Sequence, residues 1–221
     1  MNPGVKKILG LTIAVMLTLG MTVTGVWAYF GDSEASTNNV VTAGTLNLQV
    51  GATDPMTDKI TLSNIKPADT GNAAIWLVGN TASLPGILSV STGTITNNEN
   101  GRNEVEIAAG DTTDPGGELG ASLKLAFWMD KDKSGAWNSG DYYLSSAGTV
   151  VAWASGSTLP VAAFDYLNNY GSKSWATGQS VAAASDAGNF RVEYSFPDAG
   201  VSSNQAQTDS GGFDITFMVN Q

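Results

Sequence analysis

Leu119-Gly120-Ala121-Ser122-Leu123-Lys124-Leu125-Ala126-Phe127-Trp128-Met129 is the longest apolar run outside the amino-terminal stretch. Within it Leu123, Leu125, Phe127 and Met129 recur at every second position, the period of a β-strand with one face against a core. Similar, shorter segments lie on both sides. Thr45 to Val50 places Leu46, Leu48 and Val50 on one face, Lys59 to Leu62 and Ala73 to Val78 are short strand candidates, and Ile87 to Val90 follows the turn signal Leu84-Pro85-Gly86. Tyr142 to Leu144, Val150 to Ala154, Phe190 to Phe196 and Phe213 to Val219 complete the set. About nine short strands at this spacing predict an all-β chain, a jelly roll or β-sandwich. One segment departs from the pattern. Val161, Phe164, Leu167 and Tyr170 follow a helical period, which predicts one short helical excursion over Val161 to Tyr170. Asn97 to Asn103 and Asp111 to Gly117 read as polar, Gly-rich loops, and no internal repeat or interdomain linker interrupts the chain.

Composition agrees with this reading. The 221 residues suffice for one sizeable core. With 26 Gly and only 14% charged residues, tight turns are favoured over long surface helices. A hydrophobic content of 42% sets the chain apart from a disordered tail. There is no Cys and no His. Disulfides, thiolate nucleophiles, His-based triads and imidazole-held zinc are therefore excluded. The net charge of −10 argues against binding a phosphate backbone, so no nucleic-acid partner is expected, and it suits a surface that takes up hard cations.

The first 28 residues read as an export address. Lys6-Lys7 precede an apolar run from Ile8 to Val26, and Val26-Trp27-Ala28 supplies the residues around a cleavage point. Cleavage after Ala28 leaves a chain beginning at Tyr29, with eight basic and twenty acidic residues. The rival reading is a retained membrane anchor, since a run of about 19 residues approaches spanning length. The polar Gly31-Asp32-Ser33-Glu34 follows with no basic stop-transfer cluster, which favours cleavage, with membrane contact only through the leader.

One local motif carries inorganic chemistry. Asp130-Lys131-Asp132-Lys133-Ser134-Gly135-Ala136-Trp137-Asn138-Ser139-Gly140-Asp141 matches a twelve-residue calcium loop. Asp130, Asp132 and Ser134 stand at positions 1, 3 and 5, and Gly135 permits the sharp turn. Ala136 offers its carbonyl, Asn138 acts directly or through water, and Asp141 closes the site. Position 12 is Asp rather than the usual Glu, position 5 is neutral, and strands replace the flanking helices. The alternative is a polar β-turn. With few carboxylates, calcium affinity on the order of 10⁻⁴ M is expected. Six Trp and six Tyr also raise the prospect of a sugar platform. Trp76 and Trp128 fall in apolar strand patterns and are expected in the core, Trp27 lies in the leader, and Trp137, Trp153 and Trp175 are the candidates for exposure. No pair of carboxylates is marked as a glycosidase couple.

The stretch Trp27-Ala28-Tyr29-Phe30-Gly31-Asp32-Ser33-Glu34-Ala35-Ser36, followed by Thr42-Ala43-Gly44-Thr45-Leu46-Asn47-Leu48, resembles the signal and start of the TasA/CalY/camelysin family. Leu62-Ser63-Asn64-Ile65-Lys66-Pro67-Ala68-Asp69, Gly79-Asn80-Thr81-Ala82-Ser83-Leu84-Pro85-Gly86 and Gln207 to Phe217 are similar to further segments of it. The resemblance implies a jelly-roll domain, processing by a SipW-type signal peptidase, and export to the cell surface or biofilm matrix. It also implies assembly into fibres or archaeal bundling pili by donor-strand exchange. Some members carry a metallo-endopeptidase label. Without His there is no HExxH helix, so a chain without enzymatic activity is expected, with a camelysin-like peptidase as the third reading.

These readings combine into an extracellular homopolymer. Residues 1–28 are the signal, 29–41 the donor segment and 42–221 the β-sandwich domain. The donor segment carries apolar Tyr29, Phe30, Val40 and Val41 around a polar middle, with no Pro to block pairing. A disordered terminus or an intramolecular first strand are the alternatives for the segment. The competing function is a monomeric cell-surface binding module, carbohydrate- or calcium-dependent.

Overall fold

The computed structural model describes residues 3–5, 7, 12, 45–63 and 65–221. The chain divides into two units, Met1–Ala43 and Gly44–Gln221. In the first, residues 3–5, 7 and 12 are helical. The cleavage point Ala28/Tyr29 and the assembly residues Phe30, Val40 and Val41 lie outside the described residues. Among those described, no helix is long and apolar enough to cross a membrane.

The second unit is all-β, built from twelve described strands in antiparallel sheets. The large sheet runs β1 (Leu48–Val50), β2 (Thr70–Asn80), β10 (Ser185–Ser195), β5 (Lys124–Asp130), β6 (Tyr142–Leu144) and β7 (Val150–Ala152), with the two-residue β8 (Asp165–Tyr166) also paired to β5. The facing sheet runs β12 (Ile215–Asn220), β3 (Gly86–Thr92) and β9 (Ser174–Val181). A two-stranded ribbon joins β4 (Thr96–Asn98) to β11 (Ser210–Gly212). Three short helices sit in the connections: α1 (Glu104–Ala108), α2 (Leu119–Ser122) and α3 (Val201–Asn204).

The core fills the space between the two main sheets. Val78, Leu88, Val90, Leu125, Phe127, Leu144, Trp175, Phe190 and Val192 are buried in it. Phe127 is its hub, edge-on to Tyr170 with centroids 4.8 Å apart and stacked near Phe190 at 6.2 Å. A second, smaller cluster lies on the other face of β5, where Ala126 and Trp128 meet Trp137, Tyr143 and Ala163. Burial on both faces explains why β5 reads as a continuous apolar run on which the alternation is only superimposed.

Several expectations are corrected in detail. Leu119 to Ser122 is helical, and only Lys124–Asp130 forms the strand. Lys59 to Leu62 forms no strand; Ile60 and Leu62 still pack on the core, but no neighbouring strand meets their backbone. The single helix over Val161 to Tyr170 is instead two 3-10 turns, Val161–Ala163 and Leu167–Tyr170, separated by β8. The reason is that the segment serves two cores: Ala163 and Phe164 enter the small cluster, Leu167 and Tyr170 the main one. A continuous helix presents all four on one stripe. Trp137 and Trp175, expected at the surface, are 3% and 0% exposed, and Trp153 is half-buried. These three rings therefore form no exposed platform for a sugar.

Candidate functional site

Asp130 ends β5 and Asp141 immediately precedes β6, whose residues pair across the hairpin as Phe127 with Leu144 and Met129 with Tyr142. The strand pairing therefore brings positions 1 and 12 of the loop together. Asp130, Asp132 and Asp141 each present a carboxylate oxygen within 4.8 Å of the others. Asp130 and Asp141 are buried, while Asp132 is exposed.

The loop is tied down by its own backbone. Asp130 Oδ1 accepts from Ser134 N at 3.0 Å, and Oδ2 from Gly135 N at 2.9 Å. Asp141 accepts from Lys131 N at 2.9 Å and Asn138 N at 2.8 Å. Asn138 Nδ2 donates to Asp132 Oδ2 and to Ser134 Oγ, both at 2.9 Å, and Ser134 Oγ donates to the Ala136 carbonyl at 3.2 Å. Gly135 has φ +79°, a conformation that a residue without Cβ adopts freely, and this reverses the chain toward Ala136. Thus the carboxylates of Asp130, Asp132 and Asp141 converge, and Ser134, Ala136 and Asn138 are tied beside them by hydrogen bonds. A half-turn of the Asn138 amide presents Oδ1 in place of Nδ2. Burial pushes the Asp130 carboxyl above its ordinary range, opposed by the Gly135 N–H and the Arg191 charge. The Ser134 hydroxyl and N–H, together with the Asn138 amide, hold Asp132 below it.

A second gathering of acids had no signal in the sequence. Glu99, Glu106 and Asp209 form one group, and Glu99, Asp111 and Glu118 another, with ligand oxygens in each within 4.8 Å of one another. These residues follow no loop spacing and are brought together by the β4–β11 ribbon and the segments around α1 and α2. Only the alternation of acids with Thr and Gly between Asp111 and Glu118 distinguishes that stretch in the sequence.

The family model described as camelysin metallo-endopeptidase matches residues 4–221. The chain belongs to the camelysin family. This agrees with the resemblance drawn from the leader and the segments downstream. No curated protein matches the chain. The family's description corrects the expectation of a chain without enzymatic activity, because it points to a metallo-endopeptidase. That description implies a metal ion. With neither His nor Cys, the donors on offer are carboxylate, hydroxyl, amide and carbonyl oxygens. Such a set fits a hard cation and does not fit an imidazole-held catalytic zinc.

Proposed function

We propose that this camelysin-family protein is a secreted structural subunit that polymerises into an extracellular filament, with residues 29–41 of one copy added as a strand to the next. The observation that carries the reading is the edge of the smaller sheet. Among the described residues, β12 pairs with β3 alone. Ile215 and Phe217 along it, and Phe213 just before it, are only half-buried although they pack on the core. An unpaired edge with incompletely covered apolar side chains is a template for another strand. A segment with apolar ends and no Pro suits that template. The same reading gives the chain itself as principal partner, a signal peptidase during export, and calcium as the ion of the Asp130–Asp141 loop. Negative-stain microscopy of the protein starting at Tyr29, beside a form starting at Ala43, tests it. Filaments from the first and none from the second are expected. Filaments from both would place the contact on another surface.

A further inference from the structure

We propose that Glu99, Asp111, Glu118 and Asp209, backed by Glu106, form a second site for a hard divalent cation, calcium being the best match, separate from the Asp130–Asp141 loop. Glu99 directly follows β4, and Asp209 directly precedes β11, whose Ser210 pairs with Asn98. The ribbon therefore sets these two acids side by side although 110 positions separate them in sequence. Asp111 follows α1, and Glu118 stands at the start of α2 without a side-chain bond to that helix end.

The hydrogen bonds divide each carboxylate into a held oxygen and a free one. Asp111 Oδ1 accepts from Thr113 N at 2.8 Å and Thr113 Oγ1 at 2.9 Å. Asp209 Oδ2 accepts from Leu119 N at 3.0 Å and from the Glu118 N–H. Glu118 Oε1 shares the one Thr113 hydroxyl proton with Asp111 Oδ1, and Glu99 Oε1 is only approached by Thr208 Oγ1 at 3.4 Å, whose proton has the Gly101 carbonyl and Glu106 Oε1 nearer at 2.7 and 2.8 Å. The other oxygens, Glu99 Oε2, Asp111 Oδ2, Glu118 Oε2 and Asp209 Oδ1, are buried and accept from no N–H or hydroxyl group. The Glu99 carboxyl lies against those of Asp111 and Asp209, so a shared proton or a cation is what can pair them. Asp111 is only 4% exposed, so its free oxygen has no recourse to water. Among the described residues this is where unsatisfied buried oxygens collect: of five unsatisfied buried side-chain atoms, four are these oxygens and the fifth is Arg191 Nε.

Unsatisfied buried acceptors are costly singly, and four of one charge sign in one place are more so. The rest of the cluster offers little relief. Glu106 is fully buried and its oxygens are taken by Asn103 N at 2.5 Å and Thr208 N at 2.7 Å. Arg102 reaches the Asp111 carbonyl at 3.2 Å, leaving the free carboxylate oxygens without a donor. Gly117 packs so closely that a Cβ there would lie 2.6–2.8 Å from the Asp209 carboxyl atoms. The backbone at Gly117 is thus packed directly on the Asp209 carboxylate, whose Oδ2 takes the Glu118 and Leu119 N–H groups. Calcium–oxygen distances of about 2.3–2.6 Å place ligands on opposite sides of the ion about 4.6–5.2 Å apart and adjacent ones nearer. This matches the separations within 4.8 Å found inside each group, Glu99 with Asp111 and Glu118, and Glu99 with Glu106 and Asp209, with Glu99 common to both. Donors that fix one oxygen and aim the other are the ordinary support of a metal ligand. Burial, and next the neighbouring acids, raise the Glu99 carboxyl's hold on a proton, the electrostatic condition that a cation relieves.

Calorimetric titration of the whole protein with calcium, after chelator treatment, tests the site. The Asp132→Ala change disables the loop at an exposed position, and that variant still binds one calcium per chain. Adding Asp111→Asn or Glu118→Gln to it weakens this binding at least tenfold. Asp132→Ala paired with Glu104→Gln, an exposed acid of α1 outside the cluster, leaves it unchanged. Circular dichroism identifies any variant that fails to fold, in which case the milder Glu118→Gln decides. If Asp132→Ala alone abolishes all calcium binding, or if Glu118→Gln and Asp111→Asn leave it intact, the second site does not exist. A potentiometric titration that finds protons shared among these acids at neutral pH, with no release on adding calcium, overturns it equally. Loss of binding in the loop alone, by contrast, bears on the loop and leaves this site standing.

Discussion

Arg191 Nη1 stands 3.4 Å from Asp130 Oδ2, and its guanidinium lies 5.2 Å from the ring centroid of Trp128, the residue it faces across the β10–β5 ladder. The neighbouring strand β10 thereby supplies the cation that faces the loop's most buried carboxylate. On the proposed calcium reading, stability of the sandwich is expected to depend on occupancy of the loop.

Replacing Arg191 by Met removes that charge and leaves Asp130 buried. Breaking a buried pair costs about 3–5 kcal/mol. The melting temperature in chelator is expected to fall, and calcium is expected to recover more of the loss than it adds to the native protein, because the ion takes over the role of counter-charge. Equal calcium increments in both proteins would separate Arg191 from the loop.

Asp130→Ala is expected to abolish the stabilisation that the loop draws from calcium. A ligand present at about a hundred times its dissociation constant stabilises by about 2.7 kcal/mol when the unfolded chain has no assembled site. The variant also removes the acceptor of the Gly135 N–H, while the Ser134 N–H keeps Asp132 Oδ1 at 3.1 Å, and both residues are exposed, so the accompanying loss of stability is expected to be small. Calorimetric melting with and without calcium reads both effects.

Phe127 touches both sheets' aromatic rings, with Tyr170, Trp175, Phe190 and Phe213 all within 6.4 Å between centroids. Phe127→Ala is expected to cost about 3–5 kcal/mol. Denaturant unfolding followed by Trp fluorescence measures it. A loss under 1 kcal/mol would mean that the neighbouring rings close over the gap.

Tyr170 donates its hydroxyl to the Ala163 carbonyl at 3.0 Å. Burial, and then the charge of Asp165, push its phenol well above the ordinary value. The folded state therefore holds this proton more tightly than the unfolded chain, whose tyrosines titrate near 10. Its contribution to stability is complete below about pH 10 and is lost as the pH rises beyond it. Tyrosinate absorbance is expected to show Tyr170 ionising only with unfolding, and Tyr170→Phe to flatten the alkaline loss of stability. A variant that loses one freely titrating tyrosine would contradict this.

Phe30→Asp is expected to shift polymerisation to much higher protein concentration without changing the melting of the monomer. Each fully buried apolar side chain contributes about 1.5–3 kcal/mol, repeated at every subunit junction. Sedimentation of assembled material against protein concentration measures the shift, and unaltered assembly would remove Phe30 from the junction.

Local chemistry was legible where it rests on neighbours in the chain. The alternation from Leu123 to Met129 and the spacing of Asp130, Asp132, Ser134, Gly135 and Asp141 depend on residues within twelve positions of each other, and the strand at Tyr142 to Leu144 follows directly after them. The period-two pattern dictates a strand because side chains alternate across it, and the composition dictates an oxygen-only donor set because no imidazole or thiol exists to compete. Tertiary structure alone decided the rest. It turned one helical period into two 3-10 turns because Phe164 and Tyr170 are claimed by different cores, and it buried Trp137 and Trp175 because partners far off in sequence cover them. It also gathered Glu99, Asp111, Glu118 and Asp209 around a ribbon whose two strands lie over a hundred residues apart. Charges so distant in the chain acquire a common fate only when strand pairing removes the water between them.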